Sequence, residues 1–229
     1  TTTNPSDINI SSGVDSKDNN FGNYKYASIS GMKFEDTDMD GVRDEGEKGL
    51  SGWTINLDKD ANGSVDASTT TDADGKYSFT NLVYGTYRIR EVQQNGWIQT
   101  TINPGSINIS SGVETKDVNF GNFKYGSISG MKFEDKDMDG VKDPGEEGLS
   151  DWTINLDKNA DGSVDFNTKT DANGNYSFVN LGYGTYRVRE VQQNGWTQTT
   201  TNPSDINISS GVDSKDNNFG NYEYGSISG

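Results

Sequence analysis

Asp36, Asp38, Asp40, Asp44 and Glu47 fall at positions 1, 3, 5, 9 and 12 of one loop, with Gly41 at position 6. Carboxylates at 1, 3 and 5 converge on one point, the backbone carbonyl at 7 (Val42) adds an oxygen, and a Glu at 12 can offer two more. Hard oxygen donors in that number suit Ca²⁺ better than Mg²⁺, which prefers to keep its water. The pattern returns as Asp135, Asp137, Asp139, Val141, Asp143 and Glu146, with Gly140 at the turn. The two loops differ only at Thr37/Lys136, Arg43/Lys142 and Glu45/Pro144, none of them a ligand position. The competing reading is a solvated Asp/Gly turn.

A second acidic loop is sparser. Asp58, Asp60, Asn62 and Asp66 take positions 1, 3, 5 and 9 around Gly63, and the other copy reads Asp157, Asn159, Asp161 and Asp165. Asp60 becomes Asn159 while Asn62 becomes Asp161, so the oxygen donors and the carboxylate count are kept. A hairpin turn explains the Asn-Gly and Asp-Gly pairs equally well. These four loops hold sixteen of the 35 acidic residues of a chain with net charge -16.

Composition narrows the chemistry. With no His and no Cys, disulfides, His/Cys zinc sites and nucleophiles activated by a His base are excluded. The acidic balance disfavours nucleic acid, which is bound by neutralising phosphates, and no stretch has the length and apolarity of a membrane span. Paired carboxylates could serve a glycosidase, but metal spacing already accounts for them, so no enzyme is expected. No catalytic residue is assigned.

The elements that hold these loops repeat. "SISGMKFEDTDMDGVRD" at Ser28 returns as "SISGMKFEDKDMDGVKD" at Ser127, and "EVQQNGW" at Glu91 returns at Glu190, both shifted by 99 residues. The opening 24 residues recur unchanged from Thr199. Expected boundaries are residues 1–24 as the end of a preceding repeat, 25–124 and 125–224 as full repeats, and 225–229 as the first-strand stub of another. Within a repeat the periodicity is that of strands. Trp53, Ile55 and Leu57 share one face, as do Tyr77 and Phe79, and as do Tyr87, Ile89 and Glu91. Short strands separated by turns predict an all-β fold, a tandem array of transthyretin-like or Ig-like β-sandwiches. Strands on either side of the acidic loop make it a fixed clamp rather than a helix-flanked sensor. Only Lys124, Tyr125, Gly126 and Ser127 separate Phe123 from Ile128, so neighbouring repeats are each other's first partners, as in stiff repeat arrays.

The acidic loop, "TDADGKYSF" and "YGTYRIREVQQNGW" together resemble the SdrD B-type repeat of microbial surface proteins. That family is a transthyretin-like (prealbumin-like, CnaB-type) β-sandwich. The resemblance spans both repeats and implies a cell-surface, extracellular stalk or fibre module, assembling as a homopolymer or fibre, with calcium as its cofactor. Related CnaB-type domains can carry a Lys–Asn isopeptide bond promoted by a buried Glu, which here would be Glu91. Lys33 and Asn119 are the conceivable partners, with Lys132 the counterpart lysine. Strand phase argues against the bond, because it turns Met32 and Phe34 inward and Lys33 outward. The alternative function is an adhesive module that binds a glycan or protein through Tyr24, Tyr26, Tyr84, Trp97 or Trp196. Near-identical tandem copies fit a spacer better.

Overall fold

A computed structural model describes residues 6–227; residues 1–5 and 228–229, parts of the expected tail and stub, lie outside it. Every regular element among the described residues is a strand, so no helix there is long and apolar enough to cross a membrane. The first repeat carries β1 (Ala27–Glu35), β2 (Thr54–Lys59), β3 (Ala67–Thr70), β4 (Lys76–Leu82), β5 (Gly85–Glu91), β6 (Trp97–Gln99), β7 (Ile107–Ile109), β8 (Glu114–Thr115) and β9 (Phe120–Lys124). The second carries β10 (Gly126–Glu134), β11 (Thr153–Lys158), β12 (Phe166–Lys169), β13 (Asn175–Leu181), β14 (Gly184–Glu190), β15 (Trp196–Gln198), β16 (Ile206–Ile208), β17 (Asp213–Ser214) and β18 (Phe219–Glu223).

The chain forms two compact units that do not follow the sequence period. One takes the chain up to Phe34, Lys48–Val92 and Ile102–Phe120; the other takes Glu35–Glu47, Gln93–Thr101 and the chain from Gly121. The first acidic loop is therefore part of the second unit.

In the second unit the strands run β13-β10-β18-β15 in one sheet, with β17 also on β10, and β12-β11-β14-β16 in the other. β10 pairs antiparallel with β13 but parallel with β17 and β18, and the pair β6–β9 also belongs to this unit. The first unit repeats the pattern, with β1 between β4 and β8 and a sheet ordered β3-β2-β5-β7.

Alternation decides which side chains become core. Ile55 and Leu57 of β2, Tyr77 and Phe79 of β4, and Tyr87 and Ile89 of β5 are all buried, as the sequence period predicts. Their counterparts Ile154, Leu156, Tyr176, Phe178, Tyr186 and Val188 fill the second unit. Tyr77 and Tyr176 close the far side by donating their hydroxyls to the Val118 and Asn217 carbonyls. That approach leaves no room beside β1 and β10. A Cβ on Gly31 would lie 1.9 Å from the Val118 carbonyl oxygen, and one on Gly130 would lie 2.2 Å from that of Asn217. Gly31→Ala and Gly130→Ala are each expected to cost about 3 kcal/mol, the upper range for overpacking. Urea unfolding of the single variants measures this.

Candidate functional site

The first acidic loop leaves β1 at Glu35 and turns at once. Asp36 is fully buried. Its backbone N–H donates to the Asn122 carbonyl at 2.9 Å, and its Oδ2 accepts the Gly41 N–H at 2.8 Å. Gly41 has φ +79°, a left-handed conformation that a side chain would strain. Asp40 Oδ1 accepts the Val42 N–H at 2.7 Å. Glu47 tightens the loop from its far end: Oε1 accepts the Thr37 N–H at 2.6 Å and Oε2 the Asp44 N–H at 3.0 Å.

Carboxylate oxygens of Asp36, Asp38 and Asp40 lie within 4.8 Å of one another. In the second copy the same spacing gathers Asp135, Asp137 and Glu146, and also Asp137, Asp139 and Asp143. Between them, the two copies bring together all five acidic positions of the predicted ligand set. Asp36 Oδ1 and Asp38 Oδ1 are buried with no hydrogen-bond partner. A buried carboxylate oxygen without a donor is costly, and a hard cation is the ligand that such oxygens fit. Loss of solvent, and then the charge of Asp40, raise the Asp38 pKa; loss of solvent and then Asp139 do the same for Asp137. Asp135 moves the other way: burial is outweighed by hydrogen bonds from Thr199 and the Gly140, Met138 and Asp139 amides.

The second acidic loops are built differently. Asp58 Oδ1 accepts the Asn62 N–H at 3.0 Å, and its Oδ2 accepts the Gly63 N–H at 2.9 Å, with Arg88 Nη1 at 3.8 Å. Asp157 does the same with Asp161, Gly162 and Arg187. Asp66 Oδ2 and Asp165 Oδ2 accept the Lys59 and Lys158 amides across the turn. Both oxygens of Asp58 and of Asp157 thus have protein donors. No trio of carboxylates comparable to the first loops forms here among the described residues.

A third constellation corrects the sequence reading. Lys33 is buried, not outward, while Met32 is only half-buried. The strand phase is set by Ala27 and Ile29, and it carries Lys33 to the same face. Phe34 is buried on the opposite face because the chain returns over it, with Phe34 bridged to Gly49. Reading Phe34 as core inverted the phase. Lys33 Nζ lies 2.6 Å from Glu91 Oε2 and 4.3 Å from the Trp53 ring centroid. Asn119 is not its partner: its Oδ1 accepts the Met32 N–H at 2.9 Å. In the second repeat Lys132 Nζ is 2.8 Å from Glu190 Oε2, and Asn221 Nδ2 donates to Glu190 Oε1 at 2.9 Å. Asn221 and its counterpart Asn122 are fully buried. The signal was present in "NFGNF" and "NFGNY", where an Asn alternates in phase with the core residues Phe120 and Phe219. Burial pulls both lysines down to a pKa of about 8, although the Glu contacts work against it.

The aromatic residues considered for adhesion are scattered in character. Tyr26 and Tyr84 are exposed, whereas Tyr24, Trp97 and Trp196 are half-buried, and Trp196 packs edge-on against Trp152 at 5.5 Å.

The SdrD B-like domain family matches residues 27–129 and 126–226. Serine-aspartate repeat-containing protein D of Staphylococcus aureus (strain Newman) is 36% identical over 203 residues, covering 81% of this chain and 15% of that protein. Serine-aspartate repeat-containing protein F of Staphylococcus epidermidis is 34% identical over 203 residues, covering 82% and 12%. The chain thus spans less than a sixth of the length of these relatives. Among solved structures, a streptococcal ancillary pilin aligns over 88% of this chain and 63% of its own at 18% identity, with a TM-score of 0.39, a likeness on which nothing further rests.

Proposed function

The chain belongs to the SdrD B-like domain family, and from that premise we propose that it is a calcium-stabilised structural segment of an extracellular surface stalk or fibre. The observation that carries the reading is the pair of buried carboxylate oxygens, on Asp36 and Asp38, that lack any protein donor within a cluster of three carboxylates. In the first loop Asp36, Asp38 and Asp40 would hold the ion, with Asp44, Glu47 and the Val42 carbonyl as the remaining donors of the spacing. Asp135, Asp137, Asp139, Asp143, Glu146 and the Val141 carbonyl would do so in the second. The ion supplies charge neutralisation and crosslinks strands to loop; it has no catalytic part. The second loops, where Arg88 and Arg187 already stand beside Asp58 and Asp157 as counter-charges, are read as hairpin turns.

Titration calorimetry of the whole chain tests the assignment. Two calcium ions per chain are expected, falling to one in a D38N/D40N variant. Asp58→Asn is expected to leave the stoichiometry at two while costing about 1 kcal/mol through its weakened turn. Four ions per chain would restore the second loops as sites, and none would overturn the reading.

A specific observation adds a second element to the same function. Lys132, Glu190 and Asn221 lie together in a buried pocket, an arrangement suited to an amide crosslink. The neutral Lys132 amine attacks the Asn221 carboxamide carbon, a new C–N bond forms, and the bond to the carboxamide nitrogen breaks. Glu190 takes the proton from the attacking nitrogen and delivers it to the leaving one, which departs as ammonia. Tension along a stalk would then be borne by a covalent bond between β10 and β18.

A further inference from the structure

The backbone of the first acidic loop splits its residues between two tasks. The even-numbered Asp36, Asp38 and Asp40 turn their carboxylates toward one another. The odd-numbered Glu35, Thr37 and Met39 face elsewhere within the second unit. Glu35 Oε1 accepts the Ser210 hydroxyl at 2.6 Å. The Thr37 carbonyl accepts the Ser210 N–H at 3.3 Å. Met39 packs against the core of the second unit, and its sulfur lies 3.2 Å from the Tyr183 amide nitrogen, which donates to it. A Cβ on Gly182 would come within 3.2 Å of that sulfur. Met39 has φ +61° and Met138 φ +65°, so this left-handed turn belongs to the acidic loop itself.

Among the described residues the second loop has no such partners, and it serves as an internal control. Met138, the counterpart of Met39, is 53% exposed, and Lys136 in place of Thr37 reaches back to the Gly145 carbonyl in its own loop. Thr37 links the two tasks directly, since its amide and hydroxyl are both held by Glu47 Oε1.

We propose that the first acidic loop is a calcium-set latch: an ion gripped by Asp36, Asp38 and Asp40 fixes Glu35, Thr37 and Met39 onto Gly182, Tyr183 and Ser210. Ion occupancy then controls the order of that surface, and not only the stability of the loop itself. Without the ion, mutual repulsion of the carboxylates spreads the loop, and the alternate residues lose their register on Ser210 and Tyr183. The proposal rests on the calcium reading of the loop and extends it to an effect outside the ligand shell.

Hydrogen exchange on the full chain tests it, at a temperature where circular dichroism shows the chain folded with and without calcium. Chelation is expected to speed exchange of the Tyr183 and Ser210 amides roughly fivefold to tenfold, the loss of one native hydrogen bond each, while Val188 in the adjacent core is unchanged. D38N/D40N in calcium should reproduce the effect, and D137N/D139N should not. Met39→Ala should keep both calcium ions by calorimetry yet still speed Tyr183. Should calorimetry find no ion in the first loop, the calcium reading fails and the latch with it. Should the ion bind while Tyr183 and Ser210 exchange alike with and without it, the latch alone is overturned.

Discussion

Removing calcium with a chelator is expected to lower the melting temperature of the chain by roughly 10–20 °C. An ion present at about 100 times its dissociation constant contributes about 2.7 kcal/mol to the folded state, and each kcal/mol moves the midpoint of a domain this size by about 4–8 °C. The effect is large because two penalties return together. Asp36 and Asp38 keep buried oxygens with no donor, and the carboxylates gathered within 4.8 Å lose the charge between them. Magnesium in excess should restore little, since it gives up its water reluctantly and demands an octahedral shell. Differential scanning calorimetry with and without calcium measures the shift. A midpoint indifferent to chelator would remove calcium from the account of stability.

The legible parts of this molecule were those governed by short-range rules. A period of two placed Tyr77, Phe79, Tyr87 and Ile89 inside, and Glu91 with them, because neighbours on a strand alternate whatever lies beyond it. The spacing of Asp36, Asp38 and Asp40 foretold their convergence because a loop turning at a left-handed Gly41 has few ways to fold. The second acidic loops read much like the first in sequence. They differ through Arg88 and Arg187, which reach Asp58 and Asp157 from the neighbouring strands β5 and β14, a tertiary contact that ligand spacing does not encode. Lys33 was misplaced for the same kind of reason. Phe34 owes its burial to the Gly49 segment folding over the outer face, so its apolar character said nothing about the phase of β1. The grouping of the first loop with the second unit was equally hidden, because it rests on tertiary contacts with Tyr183 and Ser210 that the loop's own spacing does not encode.

The buried lysines carry the other large expectation. Intact mass of the purified chain should fall below the sequence mass by one ammonia for each bond formed, and Lys132→Met or Glu190→Gln should restore the mass at the second repeat. The crosslink ties β10 to β18 across a loop of about 90 residues, for which chain-entropy arguments give about 4–5 kcal/mol, so the crosslinked form should melt well above either variant. Rate and stability should share a pH signature. Folding lowers the Lys132 pKa from 10.5 to about 8, so between those values the unfolded chain binds a proton that the folded chain has lost. A freshly refolded, uncrosslinked chain therefore gains stability as pH rises from about 8 toward 10.5, and crosslinking accelerates as the amine becomes neutral near pH 8. Glu190→Gln should still fold, because its amide can replace one hydrogen bond, but it removes the group that moves the proton. A full sequence mass at pH 9 after prolonged incubation would leave Lys132 and Glu190 as a buried, uncrosslinked pair, retained for the packing of Lys132 over Trp152 at 4.4 Å.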